Sequence, residues 1–516
     1  MEERIGLIDI GSNTIRLVIF KFSKEAGLNE LLNIKTPARL SQYLTKENKM
    51  SQEGIKVLIE ALRSFKSVSE KFNVKELHPI ATAAIRQSEN KDDIVKKVKD
   101  ELDIEISIIP EKDEAYYGYY AITHTTEIEN GVSVDIGGGS TEVTLFKDKE
   151  LFESHSFPFG VVTLKHKFFD GKDHNDKGAI KDMEKFLSQQ FSTLDWLKDQ
   201  DVALVGVGGS ARNVARIHQS EHAYPISGVH NYTMSDKDID EVYNVIRKSS
   251  RDELNNLDGL SRDRADIILP AVSVFKTLYK KIDAKQFTFS RNGLREGYII
   301  KQIRSRYPDV FDKNNVRKES IYFLAHDYHI EEHSSQGRLK LAQSLLKQLL
   351  DLGDLKINDT EQRLFEEATY IYYLGRFIDS DSSSPHTYYI IANSMINGYT
   401  HKDRVKLALL ASFKNKSLLN FYCKETDWFS NKEIETIQAL GGIIKFVNAL
   451  NISQTSFVQD VSLKETKKGN DDYELTVHYT EGEPIAEKYQ ALRQKKHIEK
   501  ILKGSVSIVF LSLIHI

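Results

Sequence analysis

The sequence predicts an α/β fold in two similar halves, followed by an α-helical domain and a small α+β domain. Three observations carry that reading. A glycine-containing turn after an apolar run occurs twice, as Asp9-Ile10-Gly11-Ser12-Asn13-Thr14 and as Asp135-Ile136-Gly137-Gly138-Gly139-Ser140-Thr141-Glu142. Strand-like and helix-like periods alternate as far as residue 306. Beyond it helical spacing takes over, until the last stretch alternates with period two.

In chain order, residues 5–10 lead into the first turn and 15–22 leave it, which reads as strand, tight turn, strand. Helical spacing covers 52–72 and 92–102, with a short strand at 78–81. The second half opens with a strand at 132–136, turns, and continues over 143–146. A further buried strand falls at 202–207, and helices are predicted over 182–197 and 238–248. Each half, 1–125 and 126–306, thus carries one turn, as a two-domain clamp would. From 307 to 450, apolar residues recur at helical spacing over 319–329, 335–352, 359–373, 385–397, 402–413 and 431–448. Residues 451–516 form the small closing domain, with strand-like alternation over 457–479, a helix-like stretch at 487–503 and a strand at 504–510. The final Leu511-Ser512-Leu513-Ile514-His515-Ile516 is what a common transposon-end sequencing adapter encodes in one frame, so these residues are expected either not to be native or to be a genuine apolar strand end.

At 516 residues the chain exceeds what one core supports. With 40% apolar and 28% charged residues the composition is that of a soluble globular protein, and nine prolines with no long Ser/Gly tract argue against large disordered linkers. The single cysteine, Cys423, excludes an intrachain disulfide. Residues 1–7 do not resemble a leader and no run approaches 18 apolar residues, so a cytoplasmic location without membrane contact is expected. A net charge of −4 is not that of a nucleic-acid-binding chain, so any polyanion site must be local. One basic stretch is a candidate, with a solvated helix face as its competing role: Lys488, Arg493, Lys495, Lys496, Lys500 and Lys503 outnumber Glu487 and Glu499.

The two turns are candidate phosphate loops. Their glycines let backbone N–H groups approach an anion, the Ser and Thr hydroxyls add neutral donors, and each leading Asp is placed to hold a cation or water. A lone Gly-Ser-Asn turn is more often an ordinary hairpin. Three consecutive glycines cost backbone entropy that such a turn does not need. Two such loops face to face would grip a polyphosphate from both sides.

The pair resembles the phosphate 1 and phosphate 2 motifs of the actin, Hsp70 and sugar-kinase superfamily, whose ribonuclease H-like domains enclose a phosphate cleft. Within it the chain looks like the exopolyphosphatase and guanosine pentaphosphate phosphatase family. The supporting segments come in that family's order: Ala81-Thr82-Ala83-Ala84-Ile85-Arg86-Gln87, Glu114-Ala115, Phe159-Gly160-Val161-Val162-Thr163-Leu164, Gly206-Val207-Gly208-Gly209-Ser210-Ala211 and Asn292-Gly293-Leu294-Arg295-Glu296-Gly297. The resemblance implies that Glu114, between Glu111-Lys112-Asp113 and a helix starting at Ala115, is the catalytic base. It also implies a homodimer.

Phosphoanhydride hydrolysis needs positioning, charge neutralisation and an oriented water. Asp135 and Glu142 bracket the second loop and are oxygen ligands of the kind Mg²⁺ takes, with K⁺ a further candidate cation. Asp9 either shares that task or caps its own turn. Phosphate contacts are expected from Gly11, Ser12, Asn13 and Thr14, from Gly137, Gly138, Gly139, Ser140 and Thr141, and from Gly208, Gly209 and Ser210 at a helix start. Arg16, Arg86 and Arg295 are the expected guanidinium contacts, with a structural ion pair as the competing role of each. Tyr116, Tyr117, Tyr119 and Tyr120 read as packing at a domain junction.

The helical part resembles the HD-type metal phosphohydrolase domain of long family members, with its metal chemistry degenerate. His333 and His386 remain, but Tyr372-Tyr373-Leu374-Gly375 and Ala411-Ser412-Phe413-Lys414 offer no ligands. Taken together, the expectation is an Mg²⁺-dependent exopolyphosphatase acting processively on inorganic polyphosphate. The alternatives are a guanosine pentaphosphate 5′-phosphatase, also binding guanosine tetraphosphate, and a non-catalytic polyphosphate or alarmone sensor.

Overall fold

The protein is described from a computed structural model covering residues 2–353, 355–466, 472–480 and 482–513. It divides into two compact units, residues 1–224 with 229–319, and residues 225–228 with 320–516.

The first unit is built on two sheets of the same plan. In one, β1 (Glu3–Ile10), β2 (Ile15–Ser23) and β3 (Gly27–Thr36) form an antiparallel meander, and β4 (Glu76–Ala81) and β5 (Ser107–Ile108) add in parallel, giving the order β3-β2-β1-β4-β5. In the other, β6 (Gly131–Ile136), β7 (Thr141–Lys147) and β8 (Glu150–Phe157) repeat the meander. There β9 (Ala203–Val207) and β11 (Gln286–Ser290) take the parallel positions, and β10 (Tyr232–Met234) adds an antiparallel edge.

The central strands β1, β6 and β9 are nearly continuous apolar runs because helices cover their faces. Those helices are α1 (Gln52–Lys71), α2 (Ala83–Arg86), α3 (Lys91–Leu102), α4 (Glu111–Thr125), α5 (Val161–Phe169) and α6 (Lys177–Phe191). The series continues with α7 (Gly208–Glu221), α8 (Asp236–Lys248), α9 (Arg251–Asn256), α10 (Ile268–Lys281) and α11 (Leu294–Arg306). Each sheet has its own core: Ile8, Ile10, Leu17, Leu58 and Leu62 are among the buried residues of the first, and Val134, Leu145, Leu204, Val272 and Phe287 of the second.

Helix α4 links the two sheets. Its tyrosines pack at a junction, as their spacing predicts. Tyr119 and Ile122 sit against Phe146, Val205 and Val207 of the second sheet, and Tyr117 meets Tyr298 of α11 edge to face. The helix begins at Glu111, so Glu111-Lys112-Asp113 is its first turn and not a separate loop ahead of a helix starting at Ala115. All three acidic groups of that turn, Glu111, Asp113 and Glu114, suit the positive end of the helix dipole. The predicted helix over 182–197 is instead α6, followed by a 3₁₀ turn at Asp195–Leu197.

The second unit takes up the chain within α12 (Val316–Asp327) and is helical through α13 (Glu332–Asp351), α14 (Asp359–Tyr370), α15 (Ser383–Asn393), α16 (His401–Ala411), α17 (Lys416–Thr426) and α18 (Asn431–Leu450). Helix α17 is an addition to the helices predicted from sequence. Capping boxes at Asn358/Glu361 and Ser430/Glu433 start α14 and α18. A three-stranded sheet, β12 (Val458–Glu465), β13 (Tyr473–Tyr479) and β14 (Val506–Ser512), closes the chain with α19 (Ile485–Gln494) and α20 (Lys496–Leu502). Leu511 and Ser512 pair with His478 and Tyr479, while Ile514, His515 and Ile516 lie outside the described residues.

In the HD-like part, buried Arg338 donates to the carbonyls of Thr369 and Tyr370, and Tyr372 Oη donates to Phe413 O at 2.9 Å. His333 is exposed on the first turn of α13.

Candidate active site

The two glycine turns are built alike. Gly11 N–H donates to Thr14 O at 3.1 Å, and Gly137 N–H donates to Ser140 O at 3.0 Å, so each is a four-residue hairpin loop closed in the same way. Loop 1 is pinned from behind, because Arg39 and Ser41 N–H groups hold the carbonyls of Asn13 and Ser12. Loop 2 is pinned by the first turn of α5, where Val161 and Val162 N–H groups donate to Gly137 O and Gly138 O. A Cβ on Gly160 would lie 2.3 Å from Gly137 O, so that approach needs glycine. Asn13 and Gly137 to Gly139 are exposed.

Hairpin register then decides the charge on each loop. Asp9 stands opposite Arg16 across β1 and β2, and Asp135 stands opposite Glu142 across β6 and β7. The first cross-strand pair is neutral overall and the second carries two like charges, which is unfavourable without a counter-charge. Burial pushes the Glu142 carboxyl up to about 8, with Glu114 and Asp135 adding to it. Burial likewise takes Asp135 to about 6 and raises Asp9.

Glu114, on the first turn of α4, joins the same cluster. Burial lifts it to about 7 against the pull of Arg86, and both Asp135 and Asp9 raise it further. Arg86 Nη1 lies 2.5 Å from Glu114 Oε2 and donates to Ile109 O at 2.8 Å, and Nη2 lies 3.5 Å from Glu111, so Arg86 orients the Glu114 carboxylate. Glu114 thus lies within the field of both loop aspartates. Arg295 sits there too, 3.9 Å from Asp9 and within the field of Asp135, with its Nη1 buried and without a hydrogen-bond partner. Arg16 is held by Asn33 Oδ1 at 2.6 Å.

Two expected phosphate contacts are otherwise employed. Thr141 is fully buried and its hydroxyl donates to Phe159 O at 2.7 Å, so it braces loop 2. Ser210 is buried and accepts from Arg264 Nη1 at 3.1 Å. Glu142 Oε1 accepts from Ser156 Oγ at 2.9 Å.

Sequence reasoning missed Arg264, on a 3₁₀ turn at Arg262–Arg264. Its guanidinium lies over the start of α7, where a Cβ on Gly209 would come within 2.3 Å of Nη2, and Gly208 at φ +84° makes room for Asp135. Arg212 was missed as a cation as well. Burial brings it down to about 10, and Arg216, Arg264, Arg16 and Arg295 push in the same direction. Nothing in the local sequence marks these two arginines apart from others on helices and turns.

Residues 18–306 match the Ppx/GppA phosphatase family, and residues 316–487 match its domain III. The chain belongs to the Ppx/GppA phosphatase family. Like the family, it is a hydrolase of phosphoanhydride bonds. Among relatives it is similar to a guanosine-5′-triphosphate,3′-diphosphate pyrophosphatase of Pseudoalteromonas atlantica, 24% identical over 422 residues and covering 79% of each chain. Among solved structures it is similar to the Aquifex aeolicus Ppx/GppA family member, 25% identical with a TM-score of 0.54, over 59% of this chain and 99% of that one. An exopolyphosphatase from Cytophaga hutchinsonii, 22% identical with a TM-score of 0.52 over 59% of this chain and 98% of that one, shares the fold. Among the described residues no helix of this Ppx/GppA phosphatase is long and apolar enough to cross a membrane.

The donor set fits a hard divalent cation. Glu142 is buried and Asp135 and Glu114 are half-buried; Asp135 raises the pKa of both glutamates, and Glu114 adds to that of Glu142. Oxygen donors of this kind are those Mg²⁺ takes, one or two carboxylates at a time with phosphate and water completing its shell.

The same charges make stability depend on pH. These carboxyls keep protons in the folded state that the unfolded chain, with ordinary values of 3.8 and 4.5, has already lost. Their contribution is full below the unfolded values and is lost as pH rises through about 6 to 8. With a chelator present, the thermal midpoint should therefore fall between pH 5 and pH 8, and Glu142→Gln should flatten that fall and raise the midpoint at pH 8. Thermal melts at the two pH values check this; equal slopes for wild type and variant would contradict it.

Proposed function

We propose that this hydrolase is an exopolyphosphatase that removes orthophosphate processively from the ends of inorganic polyphosphate. The observation that carries the reading is the accumulation of guanidinium groups on one cleft: Arg212 is pushed down by burial and by four other arginines, three of which, Arg16, Arg264 and Arg295, sit at or beside the loops. Positive charge gathered against its own repulsion is matched by a ligand carrying several negative charges. The C-terminal unit has a basic group of its own: His497 is brought to about 4 by burial and then by Lys445, Lys496 and Lys500, and Lys445 also feels Lys414 and Arg493.

In the proposed reaction the loops around Gly11 to Thr14 and Gly137 to Ser140 hold the terminal phosphates, with Arg16 and Arg295 on their oxygens. Asp135 and Glu142, with Asp9 from the facing loop, would hold Mg²⁺, which when bound neutralises charge on the transferring group. Glu114, steadied by Arg86, takes the proton of the attacking water. The departing phosphate chain leaves as an anion and needs no general acid. A homodimer in the cytoplasm is part of the proposal.

A second reading, hydrolysis of guanosine pentaphosphate at its 5′ end, is favoured by the name of the Pseudoalteromonas relative, which aligns over most of both chains. Product lengths test the first reading. Long-chain polyphosphate should yield orthophosphate with residual full-length chains and no ladder of intermediates. A ladder would remove processivity, and cleavage in mid-chain would remove the exopolyphosphatase.

A further inference from the structure

Helix α7 starts under Arg264 at the cleft and ends at a second cluster of metal-binding side chains that the reaction does not use. His218, in its last turn, and His222, its C-cap, are four residues apart and so lie on one face. Glu241 reaches the same place from α8. One ligand atom from each of the three lies within 4.8 Å of the others, the single such group among the described residues. His222 Nε2 stands 3.2 Å from Glu241 Oε1, and the two imidazole centroids are 4.3 Å apart.

Two details separate this from a chance surface pairing. His218 is 7% exposed, and its Nε2 is buried without a hydrogen-bond partner, with Asp238 Oδ1 standing 3.5 Å away. Leaving such a nitrogen unsatisfied is costly unless something takes its lone pair. The other ring nitrogen, Nδ1, lies 2.7 Å from Tyr232 Oη. With the proton on Nδ1 that contact orients the ring and leaves Nε2 as a donor to a metal, the usual outer-shell arrangement of a ligating histidine. Asp238 is itself held in place, since it closes the capping box of α8 by accepting from Ser235 N–H at 2.7 Å.

We propose that His218, His222 and Glu241 form a zinc-class divalent cation site that fastens the end of α7 to α8. Two imidazoles and one carboxylate are the donors of a borderline cation, unlike the all-carboxylate set in the cleft. Three protein ligands leave one tetrahedral position to solvent or to Asp238. The role is structural. The site lies about 15 Å along α7 from Gly208, at roughly 1.5 Å per residue, so the cation acts by holding the helix whose first turn carries Gly208 and Gly209.

The test is Zn²⁺ titration of the full-length protein after chelator treatment, in competition with a chromophoric chelator. The wild type should take up one tight equivalent at this site. His222→Ala, at an exposed position, should weaken it by more than the roughly 10- to 100-fold that losing an outer-shell partner costs, and Tyr232→Phe by about 10-fold. Glu142→Gln should leave this binding unchanged, which separates the site from the cleft. Zn²⁺ should raise the thermal midpoint of wild type but not of His222→Ala, and Co²⁺ should give a tetrahedral visible spectrum only when His222 is present. Failure to bind Zn²⁺ tightly, or equal affinity in His222→Ala, would overturn the proposal.

Discussion

Glu114→Gln should bind substrate normally and lose about 10²- to 10⁴-fold in kcat, the range that a positioned general base supplies. The amide keeps the size of the side chain and a hydrogen bond from Arg86, while the group that would accept a proton from water is gone. In the cation-free site Glu114 sits at about 7, lifted by burial and held down by Arg86. Only the ionised carboxylate works as a base, so activity should rise with pH through that region, with Mg²⁺ shifting the limb downward. Arg86→Gln removes the cation that favours ionisation and should move the acid limb to higher pH. An unchanged kcat in Glu114→Gln would remove this residue from the mechanism. An unmoved limb in Arg86→Gln would mean that another group titrates.

Gly297→Ala should be the most damaging single methyl group in the first unit. A Cβ there would lie 1.9 Å from Tyr117 O and 3.1 Å from Ala121 N, both backbone atoms of α4, so no rotamer change relieves the clash. Overpacking of this kind costs about 1–3 kcal/mol or more. The helix that must move carries Glu114 one turn earlier, so kcat should fall along with the thermal midpoint. Gly118→Ala is the control, because its Cβ would have open space and helix propensity favours alanine by roughly 0.5–1 kcal/mol. Two variants of α4 and its neighbour should thus move stability in opposite directions. A tolerated Gly297→Ala would mean that the α4–α11 crossing does not position Glu114.

Much of this arrangement was legible in the chain. The two loops were visible because strand, four-residue turn and strand recur with the same punctuation, and the like-charged Asp135 and Glu142 follow from the register that such a turn imposes. Glu114 was not legible from its own surroundings, since a glutamate on a first helical turn is ordinary. The resemblance pointed to it, and the burial of α4 against the second sheet explains its shifted acidity. Arg264 and Arg212 were hidden because their closeness to Asp135 and to the other arginines depends on packing between turns distant in sequence. Thr141 and Ser210 misled for the opposite reason. A hydroxyl beside a glycine suggests an anion contact, while whether it faces the cleft or braces the loop is settled by a partner, Phe159 or Arg264, that spacing does not reveal.

The proposed substrate is tested most directly by orthophosphate release from purified protein with Mg²⁺, comparing long-chain polyphosphate with guanosine pentaphosphate at equal concentration of ends. Faster release from polyphosphate, abolished in Glu114→Gln, is the predicted result. Faster release from the nucleotide would contradict it and make alarmone turnover the activity of this cleft.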